Sequence, residues 1–157
     1  MDTTENFFNA IRSGEEITVA KLLSENPELV NTKDTRGSTP LILATYYDNE
    51  AVANVIIEHG GKVDLPDASG NTALMGVCFK GNLRLAKFLI EKGADVNARN
   101  NNSTTPLIFA TMFNKIDVVD LLLKHNANIS LQDSKGHTAL DHAKMQSLSE
   151  LKALLKQ

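Results

Sequence analysis

The chain has 157 residues, 42% of them apolar, which is enough for one buried core and too little for two ordinary domains. Its 16 basic and 19 acidic residues leave a net charge of −3, which argues against nucleic-acid binding, since that calls for a basic face. A single cysteine, Cys78, excludes an intramolecular disulfide framework, gives no support to a paired-cysteine zinc site and is compatible with a reducing compartment.

The opening MDTTENFFNAIRSG lacks a basic segment followed by an apolar run, and no later stretch approaches the ~18 apolar residues of a membrane span. The expectation is a cytoplasmic protein without membrane contact. The first predicted helix runs from Phe7 to Ser13, with an N-cap among Asp2 to Thr4, and Gly14 ends it. A second covers about Thr18 to Glu25 and stops before Pro27, which cannot continue it. Residues 1–33 read as an N-terminal cap without a finger.

From Asp34 onward one pattern recurs every 33 residues. Thr39-Pro40-Leu41, Thr72-Ala73-Leu74, Thr105-Pro106-Leu107 and Thr138-Ala139-Leu140 stand one period apart, each preceded at the same offset by Asp34, Asp67, Asn100 or Asp133. A second ladder follows in Ile56-Ile57, Leu89-Ile90 and Leu122-Leu123, then Val63, Val96 and Ile129. Leu22-Leu23 lies 34 residues before Ile56-Ile57 whereas Val30 lies 33 before Val63, so one residue is missing around 26–28. A fixed period of this size marks a repeat architecture whose terminal units are atypical caps.

Local chemistry agrees with the period. Each threonine can N-cap a helix, and Pro40 and Pro106 fall at the first helical position, where a missing N–H costs nothing. Gly60, Gly93 and Asn126 can take the left-handed conformation after the second helix of each unit. Asp48, Gly81 and Asn114 suit the turn between the two helices. The finger tips carry Gly37, Gly70 and Gly136, but Ser103 in the third copy, where a different turn is expected. The last unit, 133–157, ends on a helix with Leu148, Leu151, Leu154 and Leu155 on one stripe and Lys144, Lys152 and Lys156 toward solvent.

These marks, with Gly93-Ala94-Asp95-Val96-Asn97-Ala98 complete, resemble the ankyrin repeat family over essentially the whole chain. The resemblance implies a small stand-alone protein, an all-α solenoid of five helix pairs with short β-turn fingers. Its units would be 1–33, 34–66, 67–99, 100–132 and 133–157, within a single domain. It also implies protein–protein interaction on a concave face rather than catalysis. By the same resemblance, Asn97 matches the asparagine modified by asparaginyl hydroxylases; otherwise its side chain ties the finger by local hydrogen bonds.

No catalytic constellation stands out. His59 and His125 share a slot at the end of a helix, where exposed carbonyls favour an imidazole. His137 and His142, with Asp133 and Asp141, invite a metal cluster, but a spacing of five does not place both imidazoles on one helix face, and no metal is expected. Cys78 reads as a small buried hydrophobe. No serine elbow or phosphate-cradling loop occurs, and no cofactor is implied.

The candidate binding residues come from stacking the copies. One column reads Tyr46, Phe79, Met112 and Met145, and the next reads Tyr47, Lys80, Phe113 and Gln146. In the family these columns end the inner helix on the concave face. An aromatic side chain buries about 150–250 Å² and one side of a standard interface takes about 800 Å², so such a ladder could supply much of one. Finger residues Arg36, Ser38, Asn71, Thr104, Lys135 and His137 would form the polar rim. The expected function is an adaptor or inhibitor docking another protein. The alternatives are an immunity- or effector-type regulator of one enzyme or toxin and, less favoured, a small-molecule binder or enzyme. The expected state is a monomer, with weak pairing of two copies through the ladder as its alternative.

Overall fold

The computed structural model describes residues 2–156, which form ten α-helices and one short 3₁₀ helix with no strand among them. The helices are α1 (Thr3–Arg12), α2 (Glu16–Glu25), α3 (Pro40–Tyr46), α4 (Glu50–Glu58), α5 (Ala73–Lys80), α6 (Leu83–Glu91), α7 (Pro106–Met112), α8 (Ile116–Lys124), α9 (Ala139–Met145) and α10 (Ser149–Leu155). They pair in sequence, α1 with α2 through α9 with α10. The odd-numbered helices also pack on one another in unbroken succession, making an inner layer. This is the expected all-α repeat stack, with the first two helices beginning earlier than the sequence pattern indicates. Asp2 is the N-cap of α1, its carboxylate accepting from Glu5 N–H.

Each inner helix starts where the threonines place it. Thr39, Thr72, Thr105 and Thr138 accept the N–H of Ile42, Met75, Ile108 and Asp141, and the first three threonines are buried. A buried cap hydroxyl satisfies a donor that water cannot reach, which is worth about 1 kcal/mol per helix. The turn residues Asp48, Gly81 and Asn114 all have positive φ, as do Gly14 and Ser147 in the terminal copies. The missing residue at the end of α2 is also accounted for. Asn26, where a left-handed residue would stand, is instead at φ −136° ahead of Pro27, and the chain leaves through a 3₁₀ helix over Pro27–Asn31.

The fingers begin with an acceptor that closes a tight loop. Asp34 Oδ1 accepts from Arg36 and Ser38 N–H, Asp67 Oδ1 from Ser69 and Asn71, Asn100 Oδ1 from Asn102 and Thr104, and Asp133 Oδ1 from Lys135 and His137. The third finger therefore makes the same turn as the others, contrary to expectation. Ser103 achieves this at φ +58°, in the region where the other tips have glycine. Successive fingers touch: a Cβ on Gly70 would lie 2.8 Å from Asn101 N, so that tip needs glycine for the close approach as well as for its φ of +80°.

A second set of bonds joins the units. Asn31 Oδ1 accepts from Lys62 N–H, the Asp64 carboxylate from Asp95 N–H, and Asn97 Oδ1 from Asn128 N–H at 2.8 Å. Each bond spans 31 residues. The Asn97 side chain thus ties to the following copy rather than to its own local backbone. Asp64 is the one carboxylate in this column. Burial raises its pKa above the ordinary carboxylate value; the Asp95 N–H opposes that rise and the Asp95 charge adds to it. At the far end Leu151 and Leu155 are fully buried beneath the stack, and Lys152, expected in solvent, is half-buried.

Candidate functional site

The inner helices end on two columns of residues, most of them exposed. Tyr46, Lys80, Met112 and Met145 are the last residues of their helices, Phe79 precedes Lys80, and Tyr47 and Phe113 are C-caps. Six large apolar side chains are exposed among the described residues: Ile17 and five of the ladder, from Phe113 at 42% to Tyr46 at 58%. Met112 differs, being half-buried against the core.

The columns interlock diagonally. The Phe79 and Phe113 rings, from neighbouring copies and different columns, meet edge-to-face with centroids 4.3 Å apart. Tyr46 and Tyr47 pack edge-to-face at 5.2 Å. Lys80 takes the aromatic slot beside Tyr46, its Nζ 5.0 Å from the ring centroid, donating to Tyr46 C=O at 2.7 Å and pairing with Asp48 at 3.2 Å. Lys80 is therefore committed to joining two repeats, which leaves the apolar ladder with a satisfied charge at its edge.

Between α3 and α5 lies a groove of about 370 Å³, floored by Ile42, Thr45, Ala73, Gly76 and Val77 and walled by Tyr46, Phe79 and Lys80. Gly76 makes it: an added Cβ there would meet nothing within 4 Å. The same column carries Leu43, Phe109 and His142 in the other copies, so the groove is the space a large side chain would otherwise fill. That gap was visible in the stacked sequence, though only the packing reveals that it opens between two exposed rings.

The finger residues separate into kinds. Arg36 is exposed at its tip. The Asn71 amide oxygen accepts from Asn100 Nδ2 at 2.8 Å and so holds two fingers together. Thr104 is half-buried, with its N–H given to Asn100. His137 closes the last finger, with its N–H donated to Asp133 Oδ1.

At this last finger the structure assembles a group that helical spacing alone does not. His137 precedes α9 rather than lying on it, so the spacing of five residues does not govern its position. The His137 and His142 rings lie edge-to-face with centroids 5.5 Å apart, and His142 Nε2 is 2.8 Å from Asp133 Oδ2. Burial works against the Asp133 charge, but hydrogen bonds from His137 N–H, His142 and Lys135 N–H, with the attraction of His142, bring its pKa below the ordinary value. Asp141 is also held low, chiefly by hydrogen bonds from Thr138 and also by the nearby His137.

The remaining titratable candidates are structural. Cys78 is fully buried in α5, and burial pushes its thiol pKa up, which keeps it protonated and unreactive. His59 caps α4, its Nδ1 2.8 Å from Val55 C=O. Among the described residues no helix is long and apolar enough to cross a membrane.

A family model, ankyrin repeats (3 copies), matches residues 7–100 and 78–157. The chain belongs to the ankyrin repeat family, whose members are generally protein–protein interaction modules and typically not enzymes. Among curated proteins, none matches it.

Proposed function

We propose that this chain is an adaptor or inhibitor that docks a partner protein on its inner-helix face, seating an apolar side chain of the partner in the groove over Gly76. The observation that carries the reading is the concentration of exposed large apolar side chains in one ladder, with only Ile17 elsewhere among the described residues. Tyr, Phe and Met are the types enriched in interface cores, and water excluded from them would supply most of the attraction. Helices already packed and capped lose little conformational entropy on binding. The partner's complementary surface is apolar at its centre, with polar groups opposite Arg36, Thr104 and Lys135. No cofactor enters the reading, and a monomer is its working state.

The double variant Phe79→Glu, Phe113→Glu tests it by affinity capture from native lysate followed by mass spectrometry. The proteins captured by the parent are expected to be lost, while helical circular dichroism stays unchanged. Capture of the same proteins by both would refute the inner-helix site. Inhibition of a captured enzyme by one equivalent of the chain would separate a regulator from a passive adaptor, and light scattering over a concentration series detects self-pairing.

A further inference from the structure

The fourth finger and α9 bring together three nitrogen and oxygen donors, none of them a member of the apolar ladder. We propose that Asp133, His137 and His142 form a binding site for a divalent transition ion of the zinc class.

One ligand atom from each residue lies within 4.8 Å of both others, and the closest pair, His142 Nε2 and Asp133 Oδ2, stands at 2.8 Å. Bond lengths of about 2.0–2.2 Å in a tetrahedral zinc site put neighbouring donors about 3.3 Å apart. The closest pair thus falls about 0.5 Å short of that spacing, and no pair exceeds it by more than about 1.5 Å.

The backbone prepares the carboxylate. Asp133 Oδ1 is taken by the N–H groups of Lys135 and His137, which orients Oδ2 toward the imidazole. The same acceptor plays a different part elsewhere: Asp34 gives its Oδ2 to Arg12 at 3.3 Å, and Asn100 turns its amide nitrogen to Asn71. Only in the last of these four fingers does the second oxygen meet an imidazole, and only there does a histidine close the finger. The side chains of Asp133 and His142 are 11% and 12% exposed, so an ion would sit at the edge of the protein with a path to solvent.

Two imidazoles and one carboxylate favour Zn²⁺, Co²⁺ or Ni²⁺ over Mg²⁺ or Ca²⁺, which prefer all-oxygen shells. Binding would put the ion in the place of the His142 Nε2–Asp133 Oδ2 hydrogen bond. Three protein ligands leave a fourth position for water or a donor from another molecule.

The full chain, stripped with chelator, is titrated with ZnCl₂ by calorimetry and with CoCl₂ by visible absorption, with MgCl₂ as control. One Zn²⁺ per chain is expected, with the intense visible bands of four-coordinate cobalt. His137→Ala should weaken binding by about tenfold or more while keeping the Asp133–His142 bond and hence the finger. His142→Gln should do the same, and the double variant His59→Asn, His125→Asn should bind like the parent. No saturable Zn²⁺ binding by the parent would overturn the site, as would binding that survives both His137→Ala and His142→Gln or that is lost with His59 and His125.

Discussion

The outer and inner helices are built from similar apolar residues and treat them in opposite ways. In α4, α6 and α8 the side chains Ile56, Leu89 and Leu122 are fully buried, and the facing surface carries charges such as Arg84, paired with Glu50, and Lys124, paired with Asp120. The inner helices bury Leu74 and Leu107 equally well, yet end on Tyr46, Phe79 and Phe113 in solvent. The repeat thus has ample means of hiding apolar groups and does not apply them at the ladder. Framework residues are enclosed, whereas the ladder keeps Tyr46, Tyr47, Phe79, Phe113 and Met145 exposed even though Lys80 and the Phe79–Phe113 pair also join neighbouring repeats.

The largest effect expected from breaking this contrast is on stability. Leu89→Ala or Leu122→Ala, each emptying a fully buried site, should cost about 2–5 kcal/mol in urea unfolding. The Phe79→Glu, Phe113→Glu variant should cost only about 0.5–1.5 kcal/mol, the worth of one aromatic pair, while removing capture. A loss in the Leu89→Ala range would make the ladder framework after all.

Gly76→Leu sharpens the point, since it places in α5 the residue that Leu43 supplies one copy earlier. Replacing a helical glycine should gain about 1 kcal/mol, read as a higher Tm, while the filled groove weakens partner capture. Ser103→Gly should gain about 0.5–1 kcal/mol by relieving a left-handed serine, partly offset by the greater freedom of glycine when unfolded. Its capture profile should match the parent's.

The smallest effect concerns Asp64. Its carboxyl has a raised pKa in the folded chain, so the folded state holds the proton more tightly than the unfolded one, and ionisation is a net cost at neutral pH. Asp64→Asn keeps an acceptor for the Asp95 N–H and removes that charge, for a gain of about 0.3–0.5 kcal/mol at pH 7 after allowance for solvent screening. The gain should shrink as pH falls through the raised folded pKa and vanish below the unfolded carboxyl pKa of about 3.9, where Asp64 is uncharged in both states. Thermal melts of the two chains between pH 3 and 7 check both the sign and the window.

The helix pairs were legible because their causes are local and repeated. Thr39, Thr72, Thr105 and Thr138 cap helices through a bond to the third residue on, and Asp48, Gly81 and Asn114 reverse the chain by their own φ. The third finger misled because Ser103 departs from glycine, while the turn is held by Asn100 accepting two N–H groups, which keep the serine left-handed. Of the proposed binding residues, the sequence placed them in columns but not their commitments: Lys80 spends its ammonium on Tyr46 C=O and Asp48, and Asn71 its amide on Asn100.

Period, caps and left-handed turns follow from the sequence alone, because each rests on bonds within a few residues and recurs often enough to be read. Only the tertiary structure decided that the missing side chain at Gly76 opens a groove, that Asn97 reaches the next copy, and that the His137 ring meets the His142 ring where His142 bonds Asp133. Those outcomes depend on how neighbouring units and a finger fold against one another, over distances that a helical or repeating register does not encode.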